Sequence, residues 1–155
     1  MKLKLTIELV PKSCWFSNVR SSVTKKQWDA IKSTVSTKAY NVCEICGGVG
    51  PKHPVECHEI WNYNDKKFIQ KLIGMVALCP DCHMVKHMGL ARVQGREVKA
   101  TKHFMKVNSL SYQEANDIID EAFVVWLERS NKTWILDITH LEEYGIDSKN
   151  IRKIL

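Results

Sequence analysis

Cys43-Glu44-Ile45-Cys46-Gly47-Gly48 and Cys79-Pro80-Asp81-Cys82-His83-Met84-Val85-Lys86-His87 decide how this chain folds, with 32 residues lying between Cys46 and Cys79. Each Cys-x-x-Cys pair sets two thiolates about one tetrahedral edge apart, the arrangement zinc takes from sulfur. Gly47 and Gly48 follow the first pair, where the chain must turn tightly. Pro80 stiffens the second turn. The repeated spacing reads as one four-cysteine Zn²⁺ site rather than two unrelated thiol pairs packed as small hydrophobes. Closing so long a loop onto one ion is worth on the order of 10 kcal/mol at neutral pH. The interval exceeds that of a compact zinc ribbon, so a substantial element must sit inside it.

Inside the interval, Val55 to Trp61 reads as a strand, Asn62 to Lys67 as a polar turn, and Phe68 to Leu78 as a second strand interrupted by Gly74. The second cysteine pair then opens a helix that Gly89 ends. Upstream, Lys2 to Val10 alternates with period two, Leu3, Leu5, Ile7 and Leu9 on one face, which predicts a half-buried strand ended by Pro11. Thr24 and Gln27 form a capping-box pair for a helix to about residue 37, with Trp28, Ile31 and Val35 inward. Downstream, helices are expected over Glu97 to Val107 and from Ser111, capped with Glu114, to about Arg129. Thr133 to Ile138 reads as a strand and is a pairing candidate for the N-terminal one. The expectation is one α+β domain over residues 1–155, with a zinc module at about 41–90, flanking helices and a short terminal sheet.

Composition narrows the function classes. The chain has 155 residues, 45% hydrophobic and 26% charged, with 7 Gly and 4 Pro, which excludes disordered and collagen-like classes. No apolar run approaches the ~20 residues of a membrane span. Alternating charges at Met1 to Glu8 leave no apolar signal-peptide core, so the expected setting is cytoplasmic. There the six cysteines stay reduced. Formal charge is +6, but residues 1–110 carry 18 Lys/Arg against 8 Asp/Glu while residues 111–155 carry 5 against 9. The basic body favours a polyanion, and the acidic C-terminal region offers itself to a protein partner. Nothing in the sequence sets the oligomeric state.

Between the cysteine pairs lies Glu56-Cys57-His58-Glu59-Ile60-Trp61, and beyond the second pair His83 and His87 stand four residues apart. On a helix that spacing aims both imidazoles the same way. The segment from about Cys43 to His87 resembles the HNH endonucleases, the ββα-metal nucleases built on a four-cysteine zinc scaffold, and the flanks are compatible with phage-type members, whose setting would be a host cytoplasm. The resemblance implies hydrolysis of phosphodiester bonds in DNA. It implies His58 as general base, with His83 and, by its spacing, His87 as ligands of a second divalent metal (Mg²⁺, Mn²⁺, Ni²⁺ or Zn²⁺).

The chain departs from the family pattern twice. Cys57 stands where the family usually has an acidic or His metal ligand before the strand His, and Gly74 falls near the middle Asn. Cys57 is thus a candidate soft ligand for the catalytic metal or a small buried hydrophobe. By strand alternation, Glu56 shares the face of His58 and Glu59 that of Cys57. Lys86, Arg92, Arg96, Lys99 and Lys102 are candidate contacts to the nucleic-acid backbone. Plainer readings stand beside these: a hydrogen-bonded core histidine at 58, and imidazoles that merely cap the helix end near Gly89. The alternative function is an impaired HNH-like zinc module that binds nucleic acid or a protein without cutting.

Overall fold

The capping boxes expected from sequence form. In the computed structural model, which describes residues 1–148 and the backbone of 153–154, Asn18 caps α1 (Val19–Ser22). Thr24 and Gln27 cap α2 (Lys25–Lys38), whose Ile31 and Val35 are buried. Two antiparallel strands follow, β1 (Glu56–Asn64) and β2 (Ile69–Leu78). β1 runs into the turn expected over Asn62 to Lys67 because the reversal is made by Asn64, whose Oδ1 accepts from the amides of Lys66 and Lys67. The pairing shifts register between Ile60 and Trp61, opposite Gly74 and Leu72, so Ile73 bulges beside Gly74.

β2 feeds α3 (Pro80–Lys86) and α4 (Met88–Val93). The helix was expected to end at Gly89, and it breaks instead at His87, whose φ of −99° and ψ of 46° lie outside the helical region. Gly89 lies within α4, where an added Cβ would stand 3.6 Å from Leu9 Cδ2. The glycine stop belongs to Gly95 at φ +70°, with the Arg96 amide donating to the Ala91 carbonyl at 2.7 Å. Next come α5 (Glu97–Asn108) and α6 (Tyr112–Ser130), the latter opened by Ser111 and Glu114 as expected.

The terminal sheet is corrected. β3 (Ile135–Asp137) pairs in parallel with β2, Ile69 against Ile135, and β4 (Lys153–Ile154) pairs antiparallel with β3, giving one sheet in the order β1-β2-β3-β4. Lys2 to Val10 is not a strand. It runs as an extended strap whose backbone is held mainly by side chains: the amides of Lys4 and Leu5 donate to Asn108 Oδ1 at 2.8 and 3.1 Å, Asn108 Nδ2 donates to the Leu5 carbonyl, and the Glu8 amide donates to the Lys86 carbonyl. The indoles of Trp15 and Trp126 both donate to the Val10 carbonyl. Alternation still does its work, because Leu5 is fully buried while Leu3, Ile7 and Leu9 pack on the same core.

Two apolar clusters result. One joins the strap, Cys43, Cys79, Cys82, α3, α4, α5 and α6 around Phe104 and Met88. The other joins α1, α2, β2 and β3 around Ile31, Leu72 and Leu136. Gln70 is fully buried, and neither end of its amide has a hydrogen-bond partner among the described residues; the hydroxyl of its cross-strand neighbour Tyr63 is also unpaired. An unsatisfied buried polar group costs about 1–3 kcal/mol. Gln70→Met should therefore raise the thermal midpoint by several degrees in a scanning melt. A lowered midpoint would show that the amide has a partner.

Candidate metal centre

Local turns build the sulfur site. The Gly47 amide donates to the Cys43 carbonyl at 2.9 Å and the Cys43 amide to the Gly48 carbonyl at 3.0 Å, a reversal that needs the +74° φ of Gly47. A Cβ on Gly50 would lie 2.2 Å from the His53 carbonyl oxygen and 2.7 Å from the Pro80 ring, so only glycine lets the first knuckle pass the second. Glu44 ties that knuckle to the end of β2: its amide donates to the Ala77 carbonyl, and its carboxylate accepts from the Ala77 amide at 2.7 Å. Cys79 caps α3 with its own sulfur, and Pro80 takes the first helical position, where its missing N–H is no loss.

Ligand sulfurs of Cys43, Cys46, Cys79 and Cys82 lie within 4.8 Å of one another, Cys46 to Cys79 at 3.5 Å. A zinc tetrathiolate with ~2.3 Å bonds has sulfur edges of about 3.8 Å. Amides support the set, Gly48 N at 3.4 Å from Cys46 Sγ and Cys82 N at 3.5 Å from Cys79 Sγ. Burial alone would raise the Cys43 thiol, but the surrounding backbone amides bring it down to about 7. Burial pushes Cys79 up to about 11 and raises Cys82 further, the neighbouring sulfurs adding to both. Crowded sulfurs of this kind suit a soft divalent cation. The four cysteines can hold a metal ion such as zinc. His103 of α5 reaches the site from outside, its Nε2 lying 3.2 Å from Cys82 Sγ.

A second cluster stands on the same scaffold. His58 on β1, His83 on α3 and His87 at its end offer ring nitrogens within 4.8 Å of one another. His83 Nε2 and His87 Nε2 are 3.1 Å apart, and the His58 ring centroid lies 5.3 and 5.0 Å from theirs. Three imidazoles so close can share one cation only with their lone pairs free. Burial lowers His87 to about 3, helped by the charges of His83 and His58, and burial also lowers His83 against the pull of Glu56. That environment favours the neutral ring at His83 and His87.

Carboxylates hold the rings. Glu56 Oε2 lies 2.5 Å from His83 Nδ1, which leaves His83 Nε2 toward the cluster. Glu56 thus shares the face of His58, as alternation required. Glu8 Oε2 lies 3.2 Å from His58 Nε2, and its other oxygen accepts from Lys86 Nζ at 2.6 Å. Lys86 also donates to Thr6 Oγ1 at 2.8 Å. Burial would raise the Glu8 carboxyl, but hydrogen bonds from His58 and Lys86 and the lysine charge hold it below the usual range. His58 is buried, while the side chains of His83 and Glu56 are 25% and 40% exposed, so the cluster meets solvent on the α3 side.

Several sequence candidates lie elsewhere. Cys57 points to the opposite face of β1, its Sγ 4.0 Å from Met75 Sδ within the second core, and burial pushes its thiol to about 12. It does not join the imidazoles. Glu59, on that same face, accepts from the Val19 amide at 2.6 Å and anchors α1. Lys86 is corrected as a backbone contact, being buried and paired with Glu8. Arg92 forks onto Glu97 and lies 3.8 Å over the Phe123 ring. Arg96 bonds Gln94, and Lys99 pairs with Asp81 at 2.9 Å. Lys102 is exposed on α5.

Set against protein-family models, curated proteins and solved structures, the chain matches none. The site must then be read from its own chemistry. Sequence reading missed Glu8 and His103. Glu8 sat on the polar face of a supposed strand and His103 on the polar face of α5, and each reaches a polar centre although the lysines beside it stay exposed. Among the described residues no helix is long and apolar enough to cross a membrane.

Proposed function

We propose that the chain is a metal-dependent endonuclease of the HNH type, hydrolysing phosphodiester bonds in DNA. The observation that carries this reading is the meeting of His58 from β1 with His83 and His87 from α3 at one point. Zn²⁺ at the four cysteines would clamp the knuckle before β1 to the start of α3 and so fix the two halves of that point. His83 and His87 would hold a second divalent ion, which supplies Lewis-acid polarisation of the phosphate and charge stabilisation at the leaving 3′ oxygen.

His58 is the general base. Its imidazole takes the proton of the attacking water as the new phosphorus–oxygen bond forms, and the bond to the 3′ oxygen breaks. Glu8 accepts the Nε2–H, which leaves the lone pair on Nδ1 and fixes the tautomer. Glu56 does the same for His83, with Nδ1 bonded and Nε2 turned to His87 Nε2 in the cluster. Glu8→Gln should lower kcat about 10- to 100-fold with little change in KM, since a neutral amide no longer stabilises the protonated ring. Glu8→Asp should recover part of the loss, and bound zinc should stay unchanged. Parental kcat in Glu8→Gln would remove Glu8 from the mechanism.

A divalent-metal panel on supercoiled plasmid tests the reading. Nicked circles should accumulate with at least one of Mg²⁺, Mn²⁺, Ni²⁺ and Zn²⁺. A second reading, a module that holds nucleic acid or a protein without cutting it, draws on Cys57 facing away and on Gly74, which offers no side chain. Plasmid retained but uncut under all four ions would select it.

A further inference from the structure

A cavity of about 770 Å³ opens beside the sulfur site, lined by Lys4, Lys52, His53, Lys99, His103 and Lys106 among others. Its cations arrive from three separate stretches of chain: the N-terminal strap, the loop after the first knuckle, and α5. Among the described residues Asp81 is the only carboxylate in the lining, and Lys99 already pairs with it. Resting on the nuclease reading above, we propose that this cavity holds the phosphodiester backbone on one flank of the bond to be cut.

Three observations carry the proposal. Three of the ammonium groups are placed for an outside ligand, since Lys4, Lys52 and Lys106 are all exposed although they share one concave surface. Ammonium groups gathered in one hollow suit a run of phosphates. Its walls also lead to the imidazoles: the Lys52–His53 loop continues into Glu56 and His58, and Pro80 and Asp81 continue into His83. Of the contacts expected from sequence, Lys86, Arg92 and Arg96 are committed to Glu8, Glu97 and Gln94, Lys99 lines this cavity and pairs with Asp81, and Lys102 is exposed on α5.

The test is salt-dependent binding of a short DNA duplex and an RNA duplex of the same sequence, using the full zinc-loaded chain in a non-cleaving His58→Ala background. The variant Lys4→Ala/Lys52→Ala/Lys106→Ala should bind at least tenfold more weakly at low salt. The slope of log affinity against log salt should flatten by about 2–3, near 0.9 for each phosphate that is no longer neutralised. The same flattening with both duplexes, or with only the one that binds, supports the backbone assignment. An unchanged slope in a variant that still binds would overturn the cavity proposal and leave the nuclease reading standing. Failure of the unsubstituted His58→Ala chain to bind either duplex would overturn both. Zinc loss at an unchanged slope would show that the lysines only offset the charge of the sulfur site, and would overturn the proposal as well.

Discussion

His58→Ala is expected to lower the nicking rate about 10²- to 10⁴-fold, the range that a positioned general base contributes. Zinc content and the thermal midpoint should stay close to parental values. His58 touches the cluster and Glu8 but none of the four cysteines, and Glu8 keeps its 2.6 Å contact with Lys86 when the ring is gone. The pair of measurements separates chemistry from folding. Should the buried site tolerate Ala poorly, His58→Asn keeps a polar side chain there without a basic ring, and it should be equally inactive. Cleavage at the parental rate by either folded variant would defeat the assignment of the base.

Removing the metal from the sulfur site should have the largest effect on the fold. Structural zinc contributes an apparent ~10–16 kcal/mol at neutral pH, as much as or more than the ~5–15 kcal/mol that holds a typical domain folded. Cys43, Cys79 and Cys82 sit inside the cluster that also buries Phe104, Met88 and Leu5, so losing the ion opens that core from within. A strong chelator, or Cys82→Ser, should abolish near-ultraviolet circular dichroism and the cooperative melt together. Retention of both after complete zinc removal would show that packing alone sustains the fold.

What was legible in the sequence was local. Capping boxes at Thr24/Gln27 and Ser111/Glu114 close within one helical turn, and both helices form where they were expected. The two cysteine pairs are legible for the same reason, because each knuckle is set by its own spacing and turn residues. Period two at Lys2 to Val10 identified the side that Leu5 buries, but alternation says nothing about which groups satisfy the backbone. Here Asn108 does so from α5, 103 residues beyond Leu5. A lysine on a short helix reads as solvated, yet Lys86 is buried because Glu8 and Thr6 arrive from the strap. Glu8 is invisible as a site residue for the same reason, its partners lying 50 and 78 residues away. Cys57 shows the converse: strand alternation alone set it opposite His58, and the structure agrees.

The proposed chemistry assigns the scaffold to the sulfurs and a separate metal ion to the imidazoles. Titrating Co²⁺ into the zinc-loaded protein and recording X-ray absorption at the cobalt edge tests it most directly. About one cobalt should be held by imidazole nitrogen and oxygen without sulfur, and it should be absent from the His83→Ala/His87→Ala variant. Cobalt with sulfur neighbours, or none retained by the parent protein, would contradict the division.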